Sequence, residues 1–198
     1  MKNYLLIGFL VVIVACRPIK STRNHFANTK FCYDGTDVDL QSKININGYY
    51  SFFETYIANR GTPSVAIKST FQINFLFMSD GIFIYNYNVK SQDGFWGRYV
   101  VNNDTIKAQF IEDPGGMSWS LNQIWFKIKD RSHLEQIYYG SPENITSEEI
   151  MQYHKRQKES KDEISLGQFV SLDTLPNSDK SWLKKREWFW CDKAKYKS

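Results

Sequence analysis

The stretch FQINFLFMSDGIFIYNYNV, Phe71 to Val89, decides the fold. Two runs in which large apolar residues recur at every second position are separated by turn residues. That alternation marks strands with one buried face. The turn determines which residues share the face. A two-residue Asp80-Gly81 loop would pair Phe77 with Ile84 and set the aromatics of the two strands on opposite faces. A three-residue Ser79-Asp80-Gly81 loop, with Gly81 in the left-handed position, pairs Phe77 with Phe83. One face then reads Phe71, Ile73, Phe75, Phe77, Phe83, Tyr85, Tyr87 and Val89. The other reads Gln72, Asn74, Leu76, Met78, Ile82, Ile84, Asn86 and Asn88. A one-residue slip exchanges faces, so the three-residue loop is the reading that gathers the rings together.

The next hairpin, FWGRYVVNNDTIKAQFI (95–111), settles the other way. A two-residue Asn103-Asp104 loop puts Phe95, Gly97, Tyr99, Val101, Ile106, Ala108 and Phe110 on one face. Arg98, Lys107 and Gln109 fall on the other, with Trp96 and Val100 also outward. A three-residue loop would bury Arg98 against Ala108. For FKIKDRSHLEQIYY (126–139) the pattern does not choose. Candidate strands are Ile46–Tyr56, Phe71–Met78, Ile82–Val89, Phe95–Val101, Thr105–Ile111, Leu121–Lys129, Leu134–Tyr139 and a late one, Gln168–Asp173. Eight short strands with turn residues between them predict a mainly β, antiparallel domain over residues 44–198.

Between the last two strands, ENITSEEIMQYHKRQKESKDE (143–163) carries a capping box, Thr146 with Glu149, and a hydrophobic staple, Ile145 with Ile150. A helix from about Ser147 is predicted, its second half solvated and supported by Lys155–Glu159 and Lys158–Asp162 pairs. PNSDKSWLKKREWFWC (176–191) reads as a second helix with Trp182, Leu183, Phe189 and Trp190 on one side and Lys184 and Trp188 opposite. A final strand through Trp188–Cys191 is the competing reading.

The chain begins differently. Lys2 precedes an unbroken apolar and aromatic run, Tyr4 to Ala15. As a helix this run is about 18 Å long, too short for a hydrocarbon core of about 30 Å and the right length for the apolar region of a signal peptide. It ends in Ile13-Val14-Ala15-Cys16, and here the sequence resembles the bacterial lipoproteins, whose signal closes on two aliphatic or small residues, a small residue and Cys. The resemblance implies a signal peptide at 1–15, diacylglyceryl transfer to the thiol of Cys16, cleavage after Ala15 and acylation of the new amino group. It also implies a membrane anchor followed by a polar tether, residues 16–43. Arg17 follows the Cys where some inner-membrane lipoproteins carry Asp, so the periplasmic face of the outer membrane is expected.

With Cys16 acylated, Cys32 and Cys191 are the two remaining thiols of the chain's three, in an oxidising compartment. A bridge between them would clasp the whole domain and contribute up to about 5 kcal/mol in the chain-entropy account. Two free structural thiols are the alternative.

The composition excludes little beyond nucleic acid: 25 Lys and Arg against 21 Asp and Glu is only mildly basic. The basic residues from Lys180 to Lys197 either lie in solvent or meet anionic headgroups beside the anchor. No nucleophile elbow, phosphate-cradling glycine loop or His-Glu-x-x-His occurs. His25, His133 and His154 read as solvated, Glu54 as exposed on its strand, and Pro114-Gly115-Gly116 as a turn. Neither a metal nor another cofactor is implied.

Consecutive hairpins, the Asp80-Gly81 turn, GRYVVNNDTIKAQF (97–110) and the late helix together resemble the lipocalin-like barrels of bacterial lipoproteins, over roughly Ile46 to Tyr139. That resemblance implies an up-and-down barrel of about eight strands, with Phe75, Phe77, Phe83, Tyr85, Tyr87, Tyr99 and Phe110 facing its interior. Those rings either pack as a filled core or line a ligand cavity. Two functions follow, both non-enzymatic. In one, the anchored barrel binds a small apolar or aromatic molecule. In the other it is a filled scaffold that docks an envelope protein.

Overall fold

A computed structural model describes residues 40–60, 65–112, 120–141, 146–159 and 166–191. The signal region, Cys16, Cys32, His25, Ile145 of the staple, Pro114-Gly115-Gly116 and the basic residues after Cys191 lie outside the described residues. So do the side chains of Glu54, His154 and the expected helix pairs.

Eight antiparallel strands close into a barrel in sequence order. They are β1 (Gly48–Arg60), β2 (Val65–Phe77), β3 (Ile82–Asn88), β4 (Asp93–Asn102), β5 (Thr105–Glu112), β6 (Ser120–Asp130), β7 (His133–Gly140) and β8 (Leu166–Ser171). β8 completes the circle by pairing with both β1 and β7. Both hairpin registers read from the sequence hold. Phe77 faces Phe83 across the β2–β3 turn, Met78 N donates to Ile82 O at 2.9 Å, and Gly81 has φ 78°. Asn102 faces Thr105 and Tyr99 faces Ala108 across the β4–β5 turn.

The interior is built of rings. Phe75 lies 4.9 Å from Phe52, 5.0 Å from Phe126 and 5.5 Å from Tyr85, centroid to centroid. Phe77 stands edge-on to Tyr99 at 5.3 Å, and Tyr85 stacks on Phe110 at 4.1 Å. Each such pair adds about 0.5–1.5 kcal/mol to the burial itself.

One end of the barrel is plugged. The short helix α1 (Leu40–Lys43) and Ile44 put two fully buried aliphatic side chains into the inner cluster. Asn45 N donates to Arg131 O at 3.0 Å, and Tyr50 Oη donates to the same carbonyl at 2.5 Å.

Two strands change phase partway, which alternation cannot show. On β3, Asn86 takes φ 53° and the pairing with β4 shifts between Tyr85 and Asn88. Tyr85 stays inside while Tyr87 is turned out, to the cluster of Tyr49, Leu76 and Ile84. The expected inward Tyr87 is thus corrected by a β-bulge, which advances the chain by one residue, and Val89 is exposed. On β7, Trp125 faces Tyr138 but Phe126 faces Gln136, leaving Ile137 as the extra residue. Ile124 then faces Tyr139, whose ring lies 6.3 Å from that of Phe110 in the interior.

The last helix of the sequence reading is replaced by a strap. Residues 172–190 run over the outer face with single 3-10 turns at Ser178–Lys180 and Glu187–Phe189. Ser181 and Arg186 are extended, at ψ 127° and 126°, so no helix spans the segment. The reason is tertiary. Leu183 and Phe189 must each reach the apolar part of the outer face, where Leu76, Met78, Ile82 and Ile84 would otherwise meet water. The strap also accounts for Lys184, which was expected either in solvent or against anionic headgroups. It pairs with Asp80 of the β2–β3 turn at 2.6 Å and with Asp179 at 3.0 Å. Arg98, on the outer face as expected, is 2% exposed, and burial pushes its pKa down to about 9.

The helix α2 (Ser147–Glu159) forms where expected. Its capping box is complete: Thr146 N donates to Glu149 Oε2 at 2.8 Å and Glu149 N to Thr146 Oγ1 at 3.2 Å.

Candidate functional site

β8 is too short to cover β7 along its length. Their ladder runs from His133 to Glu135, and α2 packs on β7. Tyr153 comes from the second turn of α2, and its hydroxyl accepts a hydrogen bond from Gln136 Nε2 at 2.6 Å. Beneath this contact lies a cavity of about 310 Å³, lined by Ile73, Phe75, Tyr85, Ile124, Gln136 and Tyr139 together with Phe71 and Tyr153. It is at the end of the barrel opposite α1.

The cavity has an apolar body and two polar points. Ile73, Phe75 and Ile124 supply the body. Gln136 is 8% exposed, and with one end of its carboxamide on Tyr153, Oε1 has no partner among the described residues. Leaving such an atom buried costs about 1–3 kcal/mol, which a donor on a ligand would recover. The second polar point is Tyr139, whose hydroxyl donates to Glu112 Oε2 at 2.9 Å. Asn122 Nδ2 donates to the same oxygen at 3.0 Å. Burial drives the Tyr139 pKa well above the ordinary tyrosine value, and neighbouring Tyr85 and Glu112 drive it further. Its phenol therefore keeps its proton.

The interior residues named from the sequence divide. Phe75 and Tyr85 line the cavity. Phe77, Phe83, Tyr99 and Phe110 are packed against other rings in the filled part of the barrel. Tyr87 lies on the outer face. Sequence reading missed Ile124, Gln136, Tyr139 and Tyr153 as lining residues. Ile124 had the signal, as an apolar residue in a predicted strand. Gln136 and Tyr139 share the interior because of the Ile137 bulge, and Tyr153 depends on where α2 docks.

His133 is outside the site and holds the carboxylate of Asp130 at 2.9 Å. Among the described residues, no three His, Cys, Asp or Glu side chains converge as a metal site, and no helix is long and apolar enough to cross a membrane. Cys191 is disulfide-bonded, to a partner outside the described residues. No family model matches this chain, and no match is found among curated proteins or among solved structures.

Proposed function

We propose that this chain is a lipid-anchored protein of the cell envelope, without enzymatic activity, whose barrel holds a small, mainly apolar molecule at the end opposite α1. The observation that carries the reading is the cavity of about 310 Å³. It sits at the small end of the range of about 300–1,000 Å³ typical of ligand sites and has their make-up, apolar walls with few polar groups. A planar aromatic or short aliphatic body fits against Ile73, Phe75 and Ile124, and one donor satisfies Gln136.

N-phenyl-1-naphthylamine is a suitable probe, being apolar with one N–H and fluorescent when shielded from water. The expected result is saturable enhancement with the wild-type chain. Ile73→Trp, which fills the cavity, should reduce it at least tenfold with the unfolding midpoint nearly unchanged. Equal enhancement in the two proteins would reject the site. A second reading, a scaffold that docks an envelope protein, draws on the filled lower barrel and on exposed Phe53 and Leu166, 63% and 53% accessible. Absence of probe binding together with specific capture of one envelope protein would favour it.

The anchor rests on Lys2, the apolar run and Ile13-Val14-Ala15-Cys16. Acylation at about 0.8 kcal/mol per buried methylene makes a stable attachment with two or more chains. Cys16→Ser should convert the protein from membrane-bound to soluble or unprocessed. Unchanged mass and partitioning would refute the assignment. The same variant tests the pairing of Cys191 with Cys32. If Cys32 is the partner, Cys16→Ser retains the bridge and exposes no alkylatable thiol without reductant.

A further inference from the structure

The outer face of the β2–β3 hairpin is divided along its length. Its turn end, Leu76 to Ile84, is apolar and lies under the strap. Its other end carries Gln72 and Asn74 on β2 and Asn86 and Asn88 on β3. There the surface is hollowed into a groove of about 870 Å³, with Tyr49 and Tyr87 at its base. Tyr87 reaches the groove through the bulge at Asn86. A non-glycine residue at positive φ carries a conformational cost of about 1–3 kcal/mol, and Gln92 in the adjoining turn has φ 55° as well. Bulges of this kind re-aim side chains beside binding sites.

The polar groups are partly fixed and partly open. Gln72 Nε2 donates to Ser51 Oγ at 2.8 Å and to Asn74 Oδ1 at 3.0 Å. Asn74 Nδ2 donates to Tyr87 O at 3.0 Å. Asn88 Oδ1 accepts from Lys90 N and Ser91 N at 2.9 and 3.2 Å, while Ser91 Oγ donates to Asp93 Oδ1 at 2.5 Å. These bonds hold three of the carboxamides in place. Gln72 Oε1, Asn88 Nδ2 and the whole carboxamide of Asn86 make no hydrogen bond among the described residues. The charged groups of the lining are Lys90 and Asp93, one of each sign.

We propose that this groove binds a neutral oligosaccharide, with the carboxamides of Gln72, Asn86 and Asn88 bonded to its hydroxyls. A carboxamide both donates and accepts, which matches a hydroxyl that does the same. An anionic ligand would find one cation offset by one anion. A wholly apolar ligand would bury the carboxamides without replacing their hydrogen bonds to water, a cost of about 1–3 kcal/mol each. The groove is on the outer surface and shares no lining residue with the barrel cavity, so the two sites are separable.

The test is calorimetric titration of the full chain with maltotriose, cellotriose and triacetylchitotriose. At least one is expected to bind saturably, with Kd in the millimolar range or below. Asn86→Gly removes the carboxamide and suits the positive φ, and Gln72→Ala removes a second group. Each should weaken binding about fivefold to tenfold, in line with the loss of one hydrogen bond, with the unfolding midpoint unchanged in Asn86→Gly and slightly lowered in Gln72→Ala, which also takes a partner from buried Ser51. The cavity-filling Ile73→Trp should leave sugar binding intact. The proposal is overturned if none of the three sugars gives saturable heat up to about 20 mM, some twentyfold above a millimolar Kd. Binding that survives the combination of Gln72→Ala with Asn86→Gly overturns it too.

Discussion

Phe189→Ala lowers the stability of the chain by about 3–5 kcal/mol, and Leu183→Ala by about 2–5 kcal/mol. Both side chains are fully buried, yet neither is in the barrel. They form the underside of the strap, against Leu76, Met78, Ile82 and Ile84 on the outside of β2 and β3. Trp190 reinforces the position, with Nε1 donating to Lys184 O at 3.2 Å and its ring edge-on to Phe189 at 5.2 Å. Truncating either anchor leaves a cavity beneath the strap and loosens a cover over several apolar residues. In urea the midpoint should fall without a change of far-UV spectrum before the transition. The two losses should sum to less than their separate values, because once one anchor is gone the strap lifts and the other is already partly exposed. A midpoint within the error of wild type would mean that the strap does not cover the sheet in solution.

The ion pair of Lys184 with Asp80 adds little pH dependence to this cover near neutrality. Burial alone would lower the ammonium pKa, but the hydrogen bonds and charges of Asp80 and Asp179 outweigh it, and the net direction is upward from 10.5. A cation with a raised folded pKa contributes stability that is complete below its ordinary value and is lost as pH rises through the folded one. From the lysine's side, the strap should therefore hold from pH 6 to 9 and loosen only in strong alkali.

How far the fold was legible depended on the range of the interaction that fixes each part. The β2–β3 and β4–β5 hairpins were readable because face and turn are local: Phe77 opposite Phe83, and Asn102 opposite Thr105, follow from loops of three and two residues. α2 was readable from its box for the same reason. Tyr87 was misplaced because strict alternation holds only until a bulge, and nothing within IFIYNYN announces that Asn86 takes a positive φ. The strap was misread because its Trp, Leu and Phe spacing suits a helix while its partner is a sheet surface far away in sequence. One signal did exist. The outer face of the hairpin is polar at Gln72 and Asn74 but apolar from Leu76 to Ile84, and a face apolar only at its turn end calls for a cover of that length. The cavity was half legible. Phe75 and Tyr85 lie on readable faces, whereas Gln136 and Tyr153 meet through a bulge and a helix docking that no local pattern encodes.

Gly167→Ala should disrupt closure of the barrel, at a cost of about 3 kcal/mol or more, the upper end of what overpacking a core produces. Gly167 lies in β8 opposite Leu134 of β7. A Cβ there would overlap the ring of Phe52, which passes over the glycine's Cα. Phe52 cannot easily yield, since it is fully buried with Phe75 at 4.9 Å and Phe126 at 5.6 Å. The backbone of β8 is the softer element, because its pairing with β7 extends over only three residues, His133 to Glu135. The methyl group therefore pushes β8 outward and weakens the strand that joins the two edges of the sheet. Amide exchange should rise first along Leu166–Val170 and the facing parts of β1 and β7, ahead of the β4–β5 hairpin. A second substitution separates this account from a general intolerance of the site. Phe52→Leu removes the ring that the methyl group meets, so Gly167→Ala should cost at least 1 kcal/mol less in the Phe52→Leu background than in wild type, the coupling expected of residues in contact. Equal costs in the two backgrounds would show that the ring is not what requires glycine at the seam.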